Sequence, residues 1–205
     1  FVGPQGIGKS TFLGILGKEW FSDSLTTFEG KEAAELIQGT WINEIGELTA
    51  FTKQETQVIK QFLSKTDDIY RAAYGKRTEK YPRRCVFFGT SHDTEFLKDA
   101  TGNRRFWPVD VGVHKAVKSV WEDLPGEVDQ IWAEAYVYWQ MGEKLFLPKE
   151  IECLAEAAQK EHRESSGKEG LILEYLEKPV PENWNSMKLM DRRTYLNGNM
   201  KAAED

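Results

Sequence analysis

Eight residues near the start of the chain, Gly3-Pro4-Gln5-Gly6-Ile7-Gly8-Lys9-Ser10, satisfy G-x-x-x-x-G-K-[ST] without a mismatch. At average residue frequencies, a chance match in a chain of this length has a probability on the order of 1%. The match lies between a strand stub, Phe1-Val2, and an amphipathic run from Ser10 to Trp20 in which Phe12, Leu13, Ile15 and Leu16 are apolar. That context suits a loop whose glycines let backbone N–H groups turn inward around phosphates at a helix N-terminus. In such a loop Lys9 reaches the β- and γ-phosphates and Ser10 ligates Mg²⁺. Gly3, Pro4, Gln5, Gly6, Ile7, Gly8, Lys9, Ser10 and Thr11 are therefore the expected contacts for ATP. The alternative is an accidental glycine turn that caps a helix. Because Phe1-Val2 stands where this arrangement needs a whole strand, the chain is expected to be a piece of something longer.

The 205 residues suffice for one α/β domain and a smaller appendage. No window approaches the roughly 18 uninterrupted apolar residues of a membrane span, so no membrane partner is expected. Cys85 and Cys153 are far apart and match no metal spacing, which favours reduced, partly buried thiols and a cytoplasmic setting. With a net charge of −6, contact with nucleic acid must come from a local basic cluster.

Periodicity predicts a short strand near Leu25 to Phe28, a helix over Lys31 to Gln38 and a buried strand over Trp41 to Ile45. The capping box Thr52-Lys53-Gln54-Glu55 announces a helix with Val58, Ile59, Phe62 and Leu63 on one face. Cys85 to Gly89 and Phe106 to Val111 read as further strands. The alternation predicts a P-loop α/β core over 1–112, with a parallel sheet covered by helices on both faces. A small helical subdomain is expected over 113–178. In it Val128, Ile131, Trp132, Ala135, Tyr136 and Trp139, then Ile151, Leu154, Ala155 and Ala158, follow helical spacing and are expected to pack as core. One more helix is expected over Gly167 to Glu177, and 179–205 reads as a tail or the start of another domain.

Triphosphate hydrolysis also needs a carboxylate near the metal and a group that orients water. Glu44 falls at the carboxyl end of the Trp41 to Ile45 strand, where open α/β sheets bind ligands, and is the expected metal-site acid together with Ser10. Glu47, three residues on, either polarises water or is a solvated loop charge. The strand ending Phe87-Phe88-Gly89 runs into Thr90-Ser91-His92-Asp93, and His92 leads as the residue that senses the γ-phosphate or holds the water. Arg104 and Arg105 precede an apolar strand and suit phosphate oxygens in the transition state, if they are not a surface pair bound to acidic side chains. From Tyr70 to Arg84, Arg71, Lys76, Arg77, Lys80, Arg83 and Arg84 interleave with Tyr70, Tyr74 and Tyr81 around a central Gly75. That is either a solvated basic loop or a hairpin suited to single-stranded DNA, with Arg71, Lys76, Arg77 and Lys80 as the contacts.

The loop GPQGIGKS, the stretch Gly39 to Leu48 (GTWINEIGEL) and the stretch Phe87 to Val109 (FFGTSHDTEFLKDATGNRRFWPV) together resemble the virulence-associated protein E family. Its members are prophage- and island-borne bacterial proteins related to superfamily 3 helicases and poxvirus-type primase-helicases. The resemblance spans Phe1 to Val111 in motif order, and is looser through Trp184 and Leu196. It implies an AAA+-like core that hexamerises around single-stranded or forked DNA, with a primase-type domain upstream. By matched position it makes Lys9 and Ser10 the phosphate and magnesium residues, Glu44 the Walker B acid and Arg104 or Arg105 an arginine finger. His92 departs from the family, which usually has Asn there. The Tyr70 to Arg84 segment stands where related helicases carry a DNA-binding loop. The function implied is ATP-driven helicase or translocase activity in replication of a mobile element. Competing readings are a packaging or remodelling motor on the same core, and an assembly module whose ATP only switches oligomer state.

Overall fold

The computed structural model describes residues 1–99, 102–164, 172, 175–177 and 179–197. Residues 1–164 form one compact unit, and the residues after it belong to a second. Within the first unit the order is α1 (Lys9–Gly17), β1 (Phe21–Ser22), α2 (Gly30–Leu36), β2 (Ile42–Ile45), α3 (Lys53–Leu63), β3 (Asp67–Tyr70), β4 (Glu79–Pro82), β5 (Val86–Gly89), α4 (Leu124–Gln140) and α5 (Lys149–Glu161). The boundary expected after Gly112 falls inside this unit.

Every residue of β2 is buried, as a strand covered on both faces requires. It lies between β1 and β5 in a parallel sheet, with Phe21 opposite Ile42, and Ile42 and Ile45 opposite Val86 and Gly89. Val2 adds parallel bridges to Ser91 on one side and Asp110 on the other. The strand stub before the glycine loop is thus separated from β2 by β5. On one face α1 buries Leu13 and brings Gly17 so near β1 that a Cβ there would lie 2.8 Å from that of Phe21. On the other, α2 and α3 close over Leu25, Ile37, Ile45, Ile59 and Phe62, with Phe28 and Phe87 edge-on to the Phe62 ring.

Several expected boundaries move. The strand placed at Leu25 to Phe28 forms at Phe21–Ser22, and Leu25 reaches the core from a loop. The strand placed at Phe106 to Val111 reduces to the bridge at Asp110. The helix expected through Trp20 ends at Gly17 and continues as a 3-10 turn, Lys18–Trp20. The capping box forms as read: Thr52 Oγ1 accepts from the Glu55 N–H at 3.2 Å, and Glu55 Oε2 accepts from the Thr52 N–H at 2.7 Å.

The basic segment folds as a hairpin, β3 pairing antiparallel with β4. Its base is fixed by Arg83, which donates to Asp68 from Nε at 2.7 Å and from Nη2 at 3.0 Å and lies 4.0 Å over the Phe62 ring. Both side chains are buried, so removing one partner strands the other charge. Asp68→Ala is expected to cost about 3–5 kcal/mol, read as a lower denaturation midpoint in urea.

Helix α4 departs most from expectation. Leu124 and Val128 are buried and the Trp132 indole N–H donates to Leu16 O at 2.9 Å, which docks its first half on α1. Beyond that point Tyr136 and Trp139 are 56% and 66% exposed, so the aromatic stripe expected as core is not buried. In α5, Ile151 and Leu154 are likewise exposed, while Gln159 is buried and donates to Phe106 O at 2.9 Å. Cys85 is half-buried and its thiol is pushed up by burial, whereas Cys153 is exposed rather than partly buried; both are free. In the second unit, α6 (Leu189–Leu196) sets Tyr195 edge-on to Trp184. Most of the helix expected over Gly167 to Glu177 lies outside the described residues. Among the described residues no helix is long and apolar enough to cross a membrane.

Candidate phosphate-binding site

The glycine loop connects Val2 to α1 through two left-handed glycines, Gly6 (φ 81°) and Gly8 (φ 91°). Gly3 is required for another reason: a Cβ there would lie 2.3 Å from the Val111 carbonyl oxygen. Helix α1 has no side-chain cap and no acid in its first turn, so its free N–H groups and positive dipole end face the loop. The Lys9 ammonium crosses the loop, donating to Gly3 O at 2.7 Å and Pro4 O at 2.8 Å.

Parallel pairing brings the ends of β2 and β5 beside this loop. Glu44 is 5% exposed, and its Oε1 accepts from Ser10 Oγ at 2.6 Å and Thr90 Oγ1 at 2.9 Å. Two neutral hydroxyls are its hydrogen-bond partners, and among the described residues it forms no ion pair. A buried carboxylate of that kind is costly unless a cation joins it. Ser10 and Glu44 supply hard oxygen donors, and Mg²⁺ is held by one or two carboxylates plus water and phosphate rather than by a protein cage. Among the described residues no group of three or more His, Cys, Asp or Glu is placed to hold a metal ion.

Glu47 takes the left-handed conformation, φ 50°, at the head of a 3-10 turn. Such a non-glycine outlier is uncommon and tends to mark functional sites. Its Oε2 lies 2.9 Å from His92 Nδ1. A carboxylate only accepts, so Nδ1 carries the proton. His92 therefore reaches the site as the partner of Glu47. Gln5, Gly6, Gly8, Lys9, Ser10, Thr11, Glu47 and Thr90 to His92 line one hollow of about 240 Å³. Pro4 and Ile7 pack toward Gly112 instead. Trp121 also lines the hollow, close to Gly8. Sequence reasoning missed it, because an aromatic in a loop more than a hundred residues downstream carries no spacing signal.

Arg104 and Arg105 do not enter this hollow. They sit on the 3-10 turn Asn103–Arg105, held by the buried Lys60, whose ammonium donates to Asp99 at 3.0 Å and Asn103 Oδ1 at 3.1 Å. Arg105 Nε donates to Ser64 Oγ at 2.5 Å, while Arg104 is exposed and forms no ion pair among the described residues. In the hairpin, Arg71, Lys76 and Arg77 are exposed and Lys80 pairs with Asp67 at 3.0 Å. Tyr74 stands fully exposed at the tip, and Tyr70 stacks on Tyr81 at 4.4 Å.

A parallel α/β sheet with a glycine loop and a buried acid at its carboxyl edge defines the class. The virulence-associated protein E-like domain matches residues 1–164, and the chain belongs to that family. No curated protein matches it.

Proposed function

We propose that the chain is the ATP-hydrolysing motor of a mobile-element replication protein, with an AAA+-like P-loop core that moves along DNA as a ring of copies. The observation that carries this reading is Glu44: buried, in no ion pair among the described residues, and sharing one oxygen between Ser10 and Thr90 beside the glycine loop. The strand order supports it, since β5 between the loop strand and β2 brings Thr90 and His92 to the same edge as Glu44.

The geometry supports the following division of labour. The first N–H groups of α1 bind phosphate oxygens, and Lys9 exchanges two loop carbonyls for phosphate. Ser10 and Glu44 would hold magnesium, which supplies charge neutralisation on the phosphates. Glu47 orients and polarises water, and His92 fixes the Glu47 carboxylate from the side. Trp121 offers an aromatic face to a base. Arg104 lies outside its own hollow and serves the nucleotide of an adjoining copy. The hairpin presents Tyr74, Arg71, Lys76 and Arg77 to single-stranded DNA.

ATP turnover is expected to rise several-fold on adding single-stranded DNA. No rise favours an assembly module that only switches oligomer state. Replacing Lys76, Arg77 and Lys80 by Glu is expected to remove the stimulation and flatten the salt dependence of DNA binding. Since Lys80 is engaged with Asp67, the slope should fall by about 1.4, two contacts at roughly 0.7 each, rather than by the three-contact value. An unchanged slope places the DNA elsewhere.

A further inference from the structure

Trp20, Trp41 and Cys85 each stand one residue before a strand, β1, β2 and β5 respectively. The parallel register sets Phe21 opposite Ile42 and Ile42 opposite Val86. The three preceding residues therefore reach the amino edge of the sheet side by side, at the end away from the glycine loop. There the two indoles stack, ring centroids 4.5 Å apart and planes 20° from parallel, yet they stay 37% and 46% exposed. They wall a hollow of about 390 Å³ that the foot of the hairpin closes with Tyr81, Arg83 and Arg84. The Tyr81 ring is backed by that of Tyr70. Arg83 is committed to Asp68, whereas Arg84 is exposed and in no ion pair among the described residues. No acid is among the residues that line the hollow, on a chain whose net charge is −6.

We propose that this hollow takes a base of single-stranded DNA, stacked on the Trp20–Trp41 pair with its phosphate on Arg84, where the strand continues past the hairpin. The continuation rests on the hairpin reading above; stacking in the hollow rests on the aromatic pair. Every base has a π-face, so such a surface accepts bases without regard to sequence, and a guanidinium matches phosphate oxygens in shape as well as charge. The exposed Arg71, Lys76 and Arg77 of the hairpin supply backbone neutralisation, and its foot adds the wider aromatic surface. Aromatic grooves also dock proline-rich peptides. The uncommitted Arg84, the lack of an acid in the lining and the basic hairpin alongside favour a polyanion instead.

The test compares an oligothymidine strand with an abasic strand of equal length, which keeps the phosphates and lacks the bases. Titrated at low salt, Trp41→Ala is expected to bind oligothymidine about tenfold or more weakly than the parent, and the abasic strand as the parent does. Trp41→Phe, which retains a ring, is expected to recover most of the loss. The salt slope for oligothymidine should stay the same in Trp41→Ala and fall by about 0.7 in Arg84→Gln, one phosphate contact. Should Trp41→Ala not fold, Trp41→Leu keeps apolar bulk over Trp20 and is expected to show the same loss. Oligothymidine binding indifferent to these changes, or a loss equal for the abasic strand, overturns the proposal. If binding is lost on replacing Lys76, Arg77 and Lys80 by Glu but kept in Trp41→Ala, the hairpin reading survives and this one fails. The reverse result sinks the hairpin reading and leaves the hollow standing. Displacement of oligothymidine by a proline-rich peptide reassigns the hollow to a peptide and overturns the nucleic-acid reading.

Discussion

Glu44→Gln is expected to lower ATP turnover by about 10³-fold while leaving nucleotide affinity within a few-fold of the parent. Glutamine keeps an oxygen able to accept from Ser10 and Thr90, so the local hydrogen bonds survive. What disappears is the negative charge at a 5% exposed position. Because that charge has no ion-pair partner among the described residues, its removal relieves desolvation and the folded state is expected to hold. Steady-state turnover across a magnesium titration, with nucleotide affinity measured in parallel, separates the two effects. Full activity in the variant would move the metal away from Glu44. Glu47→Gln should act differently, letting ATP bind and slowing only its cleavage.

Arg104→Ala carries the second large effect. Turnover is expected to fall by about 10³-fold or more with ATP binding spared, the range for an arginine that meets the transition state from outside its own pocket. Of the two arginines this one is the expected finger, since Arg105 Nε is committed to Ser64, whereas Arg104 forms no ion pair among the described residues. Arg105→Ala is expected to have the smaller effect. Mixing decides whether the action crosses between copies. Arg104→Ala chains keep an intact loop and Glu44, while Lys9→Ala chains keep the arginine, so together they are expected to regain turnover that neither has alone. An arginine acting within its own chain allows no rescue.

The sequence made the local determinants legible and left the non-local ones hidden. The glycine loop, the Thr52 capping box and the hairpin around Gly75 are short-range patterns, and each forms where its residues stand. The place of Glu44 near the end of β2 was readable because a strand end is a positional signal. The Glu47–His92 pair was not, since 45 residues separate partners that the β2–β5 register brings together. Trp121 and the Lys60 anchor of the arginine turn are long-range for the same reason. Helical spacing misled in α4 because periodicity reports an apolar face and cannot report what covers it. Val128 finds its place in the body of the unit, whereas Tyr136 and Trp139 stay exposed.

The central claim is that the glycine loop is the nucleotide site. Thermal unfolding with and without Mg²⁺-ATP tests it directly, because a ligand that binds only the folded chain stabilises it by RT ln(1 + [L]/Kd), about 2.7 kcal/mol at a hundredfold excess over Kd. The account predicts a clear rise in Tm for the parent protein. For Lys9→Ala an unchanged Tm without ligand and almost no rise with it are expected, since among the described residues the Lys9 ammonium bonds loop carbonyls alone. An equal rise in both proteins, or none in the parent, would contradict it.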